Sequence, residues 1–83
     1  MEVTYSPKAA GDLSGFSRVI QSRIASKIEF YARQDNCLKF AKKLTGHDAY
    51  RFRIGNYRVI FDIDGNDMFI LAILKRDVAY RGL

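Results

Sequence analysis

The sequence is poor in residues that form disulfides or bind metals. It contains one cysteine, Cys37, and one histidine, His47. One cysteine cannot form an internal disulfide, and together the two residues cannot complete a zinc site of the usual kind. We therefore expect a cytoplasmic protein that uses neither a metal nor another cofactor.

Long apolar segments are also lacking. The longest apolar run, Met68 to Leu74, has seven residues, whereas a membrane-spanning helix needs roughly 18. The first residues, M-E-V-T-Y-S-P, have no charged region followed by an apolar one, so we expect no signal peptide. No membrane association is predicted.

Acidic residues are outnumbered by basic ones. Nine Asp and Glu stand against 14 Lys and Arg, which gives a net charge of +5. This excess indicates an acidic partner, either a nucleic acid or an acidic protein segment. The chain has 83 residues, 48% of them apolar, which predicts one small globular domain over residues 1–83.

Apolar spacing predicts helices early in the chain and strands late. Ser6-Pro7 and Ser17 are favourable helix starts, and the residues after Ser17 carry an apolar stripe with helical spacing. Residues 38–44 are basic and ambiguous. The predicted elements are a strand over 2–5, helices over 7–13 and 17–34, a hairpin around Gly55-Asn56 and an apolar strand over 68–74 that is covered on both faces.

This order, β-α-α-β-β-β, predicts an α+β fold. Both helices would pack on one face of a curved antiparallel sheet, with the N-terminal strand at an edge. The other face of the sheet would stay open.

The hairpin from Tyr50 to Asp62 has the clearest pattern in the chain. Its side chains alternate with period two, so apolar residues share one face while Arg51, Arg53 and Arg58 share the other. The two-residue turn with glycine first is typical of type II′. Such a turn places Arg53 opposite Arg58, and facing like charges destabilise a sheet by about 0.2–1 kcal/mol.

This arginine cluster has two interpretations. It is either a solvated basic surface or an anion site, and arginine forks match the oxygens of phosphate, alone or in a nucleic-acid backbone. The lysines at 39, 42 and 43 have the same two interpretations: a solvated face or a binding patch.

Arginine and tyrosine could also cleave RNA through its own 2′-hydroxyl. That reaction needs a proton acceptor, cations at the developing phosphorane charge and a proton donor for the leaving 5′-oxygen. Arginines supply the charge without a cofactor. A tyrosine can act as acid or base where guanidinium groups lower the phenol pKa from about 10. Tyr80, close in sequence to Arg76 and Arg81, is the candidate; the alternative is a buried tyrosine of the tail.

Several segments together resemble the RelE/ParE superfamily of bacterial and archaeal toxins. They are Y-R-F-R-I-G-N-Y-R-V-I-F-D-I-D, the apolar strand, K-R-D-V-A-Y, S-P-K-A-A at the first helix and K-K-L-T-G before the hairpin. The resemblance implies the small RelE-like α+β domain and a toxin of a type II toxin–antitoxin system. RelE-type members are mRNA interferases, endoribonucleases that enter the ribosomal A site and cut mRNA without a metal, which inhibits translation.

The resemblance also implies roles for individual residues. The catalytic basic pair falls on Arg51 and Arg53, the arginine that stabilises the transition state on Arg58, and the C-terminal pair on Arg76 and Tyr80. The implied partners are mRNA, the ribosome and an acidic antitoxin protein that wraps over the toxin in a hetero-oligomer. We further predict RNA or ribosome contacts at Lys39, Lys42, Lys43 and Arg81.

Two other functions remain open at this stage. ParE-type relatives share the fold, but they inhibit DNA gyrase and lack the ribonuclease residues. A non-catalytic module would use the arginines only to bind nucleic acid or a partner. Some RelE-type members carry lysine where this sequence has Arg51 and Arg53, so a role that needs a deprotonated amine is not expected at these positions.

Overall fold

The computed structural model describes residues 1–75. Within this range, five strands form one sheet in the order β1-β5-β4-β3-β2, and the predicted α+β fold is confirmed. No helix in this part of the chain has the length and hydrophobicity to cross a membrane. The elements are β1 (Glu2–Tyr5), α1 (Pro7–Ser14), α2 (Arg18–Ala32), a 3-10 turn (Cys37–Phe40), β2 (Ala41–Lys43), β3 (Tyr50–Ile54), β4 (Tyr57–Asp64) and β5 (Asp67–Lys75).

Both helices begin at the serines that the sequence indicates. Ser6 Oγ accepts a hydrogen bond from the Ala9 amide at 3.0 Å, and Ser17 Oγ accepts one from the Ile20 amide at 3.3 Å. Each cap therefore satisfies an amide that has no partner within its helix. α2 ends at Ala32, slightly before the predicted end.

β1 lies at an edge of the sheet, as predicted, but it runs parallel to β5. Parallel strands need a crossover connection rather than a tight turn, and α1 and α2 occupy the chain between β1 and the later strands. The pairs β2–β3, β3–β4 and β4–β5 are antiparallel. The sheet is therefore mixed, and the prediction of an antiparallel sheet is wrong for β1.

The ambiguous basic segment contains a strand that the sequence does not reveal. After the 3-10 turn, β2 pairs antiparallel with β3. Two of its three residues are lysines, so it shows no apolar alternation by which a strand is recognised. Short, lysine-bearing edge strands are common because they resist pairing with other chains. Only the contact with β3 defines β2.

The β3–β4 hairpin has the predicted register. Gly55 has φ +57°, whereas Asn56 does not have a positive φ, as a type II′ turn requires. Ile54 pairs with Tyr57, and Arg53 therefore pairs with Arg58. The turn decides which hairpin face carries the arginines.

The helices cover the other face of the hairpin, as predicted. Ile24 and Ile28 of α2 are completely buried and belong to one core cluster with Phe52, Phe61 and Met68 of the sheet. Burial of each isoleucine side chain stabilises the fold by roughly 1.5–3 kcal/mol. The apolar stripe of α2 therefore holds the helix on the sheet.

A column of four aromatic rings crosses the core and reaches the surface. Phe61 stacks on Phe52 with ring centroids 4.1 Å apart, and Phe52 contacts Tyr31 of α2 at 4.5 Å. Tyr31 stacks on Phe40 at 5.0 Å. Phe52 and Phe61 have no exposed surface, whereas Phe40 is 44% exposed. This aromatic column links the sheet, α2 and the 3-10 turn.

β5 is an interior strand, but only one of its faces is buried. Met68, Ile70 and Ile73 point into the core, whereas Leu71 is 38% exposed. A β-bulge at Leu71 shifts the alternation by one residue. The prediction that this strand is covered on both faces is therefore wrong, because both helices pack on the same side of the sheet.

Side chains of the N-terminal region bind the backbone of β5 at this bulge. Ser6 Oγ donates a hydrogen bond to the Leu71 carbonyl at 3.0 Å. Asp12 Oδ2 accepts one from the Ile73 amide at 3.0 Å and also lies 2.9 Å from Lys8 Nζ. Burial raises the pKa of Asp12, but the amide and the ammonium group outweigh it, so the pKa lies below its ordinary value. These contacts join α1 to the sheet.

Candidate nucleic-acid interface

The open face of the hairpin carries Arg51, Arg53 and Arg58. Arg53 is directly opposite Arg58. Arg51 lies two residues before Arg53 on β3, so it shares the same face, and it is opposite Ile60. Arg53 is exposed, while the other two arginines are partly buried. Three guanidinium groups, always protonated at neutral pH, therefore share one side of two strands.

Within residues 1–75, no carboxylate neutralises the two arginines of β3. An ion pair joins Lys8 and Asp12 on α1, and no described acidic side chain pairs with Arg51 or Arg53. Like charges that face each other across two strands raise the free energy of the folded state. Such an arrangement is typical of a surface that binds an anion.

β2 adds lysines to this surface. Lys42 is the register partner of Arg51, and neighbouring strands lie about 4.8 Å apart. A cleft of about 240 Å³ opens here; we call it the cationic cleft. Its lining consists of Lys39, Phe40, Ala41, Lys42, Arg51 and Arg53. Four of the predicted site residues therefore meet in one concave site.

Lys43 does not belong to the cationic cleft. Adjacent strand residues point to opposite faces, and Lys43 is paired with Tyr50 on the helix-covered side. It lines a second cleft of about 430 Å³ with the loop of residues 44–48, which includes His47. The structure thus separates Lys43 from the basic residues with which the sequence groups it.

Acidic residues lie at the opposite end of the same open face. Asp62 is diagonal to Arg51 across the β3–β4 pair, but its Oδ1 accepts a hydrogen bond from the Ile63 amide at 2.8 Å. Asp64 and Asp67 face each other farther along. Positive charge is therefore concentrated near β2 and the β3–β4 turn, and negative charge near the β4–β5 turn.

Cys37 is not placed to act as a nucleophile. It is only 3% exposed, and its Sγ lies 3.8 Å from Met1 Sδ. Burial raises the pKa of the Cys37 thiol, which disfavours the reactive thiolate. Among residues 1–75, no cluster of three His, Cys, Asp or Glu side chains could hold a metal ion.

Three predicted site residues, Arg76, Tyr80 and Arg81, lie outside the described residues, and their roles stay predictions. Phe40, by contrast, lies in the cationic cleft although sequence reasoning did not select it. Its only signal in the sequence is its position among lysines, in K-F-A-K-K.

Residues 3–80 match the family model described as the ParE toxin of the type II toxin–antitoxin system parDE. The chain belongs to the RelE/ParE family of toxins. Toxin RelE3 of Methanocaldococcus jannaschii is 32% identical in an alignment of 84 positions that covers 96% of each chain. The predicted family is confirmed.

Solved structures of both branches of the RelE/ParE family have this fold. The RelB–RelE antitoxin–toxin complex from Methanococcus jannaschii gives a TM-score of 0.73 at 26% identity, with 95% of this chain and 96% of that chain covered. The chromosomal ParDE system from P. aeruginosa also gives 0.73, at 16% identity, with 90% and 95% covered. Because the two scores are equal, the fold does not discriminate a RelE-type target from a ParE-type one.

Proposed function

We propose that this RelE/ParE-family toxin is a ribosome-dependent endoribonuclease that cuts mRNA and thereby inhibits translation. The observation that supports this proposal is the cationic cleft, where Lys42, Arg51 and Arg53 gather without neutralising carboxylates among the described residues. Single-stranded RNA offers a phosphate at every nucleotide, and a positively charged groove follows such a backbone.

In this proposal, the three arginines provide electrostatic stabilisation. Arg51 and Arg53 hold the phosphates of the message, and Arg58 lies beside them at the neighbouring strand position, where it stabilises the phosphorane charge. Fixed guanidinium groups can do this without a metal. Because arginine stays protonated, these residues cannot take the proton of the 2′-hydroxyl.

The proposal assigns one of the two proton transfers to Tyr80, as acid or base, with Arg76 beside it. This assignment comes from the family resemblance, since both residues lie outside the described part. One feature supports testing them together with Arg58: Leu74 is the register partner of Arg58, and Arg76 follows only two residues later in the sequence.

A protein antitoxin is the proposed partner. The similar solved structures from Methanococcus jannaschii and P. aeruginosa are toxin–antitoxin systems. The net charge of +5 favours association with an acidic segment. An antitoxin that covers the cationic cleft would block access of RNA.

Inhibition of DNA gyrase is the second candidate function. The matching family model carries the ParE description, and the ParDE structure matches as well as the RelE one. In that case the arginine face would bind its target without catalysing any reaction.

Cleavage mapping on translating ribosomes tests the proposal. In a reconstituted translation system, the wild-type protein should cut mRNA in the ribosomal A site, and Arg58→Ala should be slower by on the order of 10²–10³-fold. Arg18→Ala is the matched control, because Arg18 is an exposed arginine at the start of α2. It should cut like the wild type.

A parallel supercoiling assay with DNA gyrase separates the two candidates. Intact mRNA on active ribosomes together with blocked supercoiling would replace the nuclease proposal with gyrase inhibition. Strong RNA binding with neither activity would indicate a non-catalytic module. Normal cutting by Arg58→Ala would reject the assigned role of that arginine.

A further inference from the structure

Phe40 is an exposed aromatic residue in a cleft whose other lining residues, apart from Ala41, are cationic. It keeps 44% of its surface exposed while it lines the cleft with Lys39, Lys42 and two arginines. Exposure of a phenylalanine lowers stability because apolar surface stays in contact with water. The ring packs on Tyr31, but the predicted electrostatic roles do not require an aromatic residue in the cleft.

The aromatic column holds the Phe40 ring in place. Tyr31 stacks against it with an interplanar angle of 23°, and Tyr31 is itself supported by the buried Phe52. Phe30 approaches edge-on, with centroids 6.5 Å apart. Within residues 1–75, Tyr31 is the only ring that stacks on Phe40. The ring is thus supported on one face, and the residue remains exposed to the cleft.

We infer that Phe40 is a stacking platform for an RNA base, at the edge of the cationic cleft. This inference rests on the proposed RNA target and adds a base contact to the phosphate contacts. Binding sites for single-stranded nucleic acid combine cations that follow the backbone with aromatic rings on which bases stack. A ring already held by Tyr31 loses little conformational freedom when a base stacks on it.

Charge complementarity favours RNA as the occupant. The phosphate oxygens of one strand can contact Lys39, Lys42, Arg51 and Arg53 while a neighbouring base covers Phe40. Every base has a π face, so the platform itself would not select a sequence. Codon preference would then depend on contacts elsewhere.

Binding of a non-cleavable RNA tests this inference separately from catalysis. A short single-stranded 2′-O-methyl oligonucleotide cannot be cut through its 2′-hydroxyl, so its affinity does not depend on nuclease activity. Phe40→Leu should bind it roughly 5- to 150-fold more weakly than the wild type, while Phe40→Tyr should retain most of the affinity. Val19→Ala is the control, because Val19 is an exposed apolar residue of α2, at 69%, that does not line the cleft.

Salt titration and an abasic oligonucleotide identify the contact as stacking. The slope of log affinity against log salt should be unchanged in Phe40→Leu, since no phosphate contact is lost, whereas Lys42→Gln should reduce it by about 0.7. With an abasic oligonucleotide of the same length, Phe40→Leu and wild type should bind equally. Circular dichroism of each variant checks that the fold is intact.

Three results would overturn the inference. The first is equal affinity of Phe40→Leu and wild type for the base-bearing oligonucleotide. The second is an equal loss with the abasic one, which would show that Phe40 only supports the fold. The third is an effect confined to an acidic antitoxin peptide, which would assign Phe40 to a protein interface. Weak cleavage activity of the wild type would leave these binding comparisons valid, so failure of the nuclease proposal can be distinguished.

Discussion

Neutralisation of Arg53 should make the protein more stable and less able to bind RNA. Arg53 faces Arg58 across the hairpin and has no ion-pair partner among the described residues. Arg53→Gln removes the repulsion and keeps a long polar side chain. Mutations at an exposed strand position usually change stability only slightly, so a gain in stability coupled to a loss of binding would mark a functional site.

The size of the effect follows from the register. Facing like charges in a sheet destabilise it by about 0.2–1 kcal/mol. In a domain of this size, 1 kcal/mol changes the melting temperature by about 4–8 °C, so Arg53→Gln should melt about 1–8 °C higher than the wild type. The increase should shrink at 1 M salt, where the screening length falls to about 3 Å.

Differential scanning calorimetry at low and high salt provides the measurement. Arg53→Lys is the matched control, because it changes the side chain but keeps the charge, and its melting temperature should stay near that of the wild type. A double-mutant cycle with Arg58→Gln isolates the repulsion between the two positions, since any other contact of Arg58 cancels in the coupling term.

The reasoning is refuted if Arg53→Gln melts lower than the wild type, or if the gain persists undiminished at high salt. The first result would mean that Arg53 stabilises the fold through contacts other than charge. The second would attribute the gain to strand propensity rather than to electrostatics.

Three further predictions concern the fold. Asp12→Asn weakens two charge-assisted hydrogen bonds and should lower the free energy of unfolding by roughly 1.5–3 kcal/mol in urea denaturation at pH 7. Because the pKa of Asp12 is lowered in the folded state, its carboxylate contributes fully to the free energy of unfolding above about pH 4. The contribution is lost as the pH falls through that lowered pKa. Urea titrations from pH 6 to pH 2 should show this loss in the wild type and not in Asp12→Asn. Gly55→Ala forces alanine to φ +57° and should lower the free energy of unfolding by about 1–2 kcal/mol. Gly11→Ala, in a helix with open space around it, should raise that free energy by about 0.5–1 kcal/mol. An equal change in the two melting temperatures would contradict this. Phe52→Ala, at a completely buried position, should lower the free energy of unfolding by about 3–5 kcal/mol. Phe30→Ala, at an exposed position, should lower it much less when both variants are compared by chemical denaturation.

Local interactions explain the features that were predictable. A helix start depends on residues within one turn, so Ser6 and Ser17 identify both caps. The hairpin register depends on the turn between its strands, so Gly55-Asn56 and the alternation around it place Arg53 opposite Arg58. The sequence alone therefore predicts the arginine face, without any tertiary contact.

Features that depend on distant contacts were not predictable. β2 has no strand pattern of its own and exists through pairing with β3. That pairing sends Lys42 and Lys43 to opposite sides of the sheet, although both belong to one basic stretch. Likewise, the residues around Leu71 do not predict the bulge. Backbone groups of Leu71 and Ile73 at the bulge bind the side chains of Ser6 and Asp12, which are distant in the sequence.

By itself, the sequence determined the two helices, the hairpin and the side of that hairpin on which positive charge collects, because each follows from neighbours a few residues apart. Only the tertiary structure decided that lysines from β2 join those arginines in one cleft, and that Phe40 stands there on a column of rings rising from the core. The physical reason is that a cleft is formed between segments. Its shape depends on which strand lies beside which, and that depends on how the whole core packs.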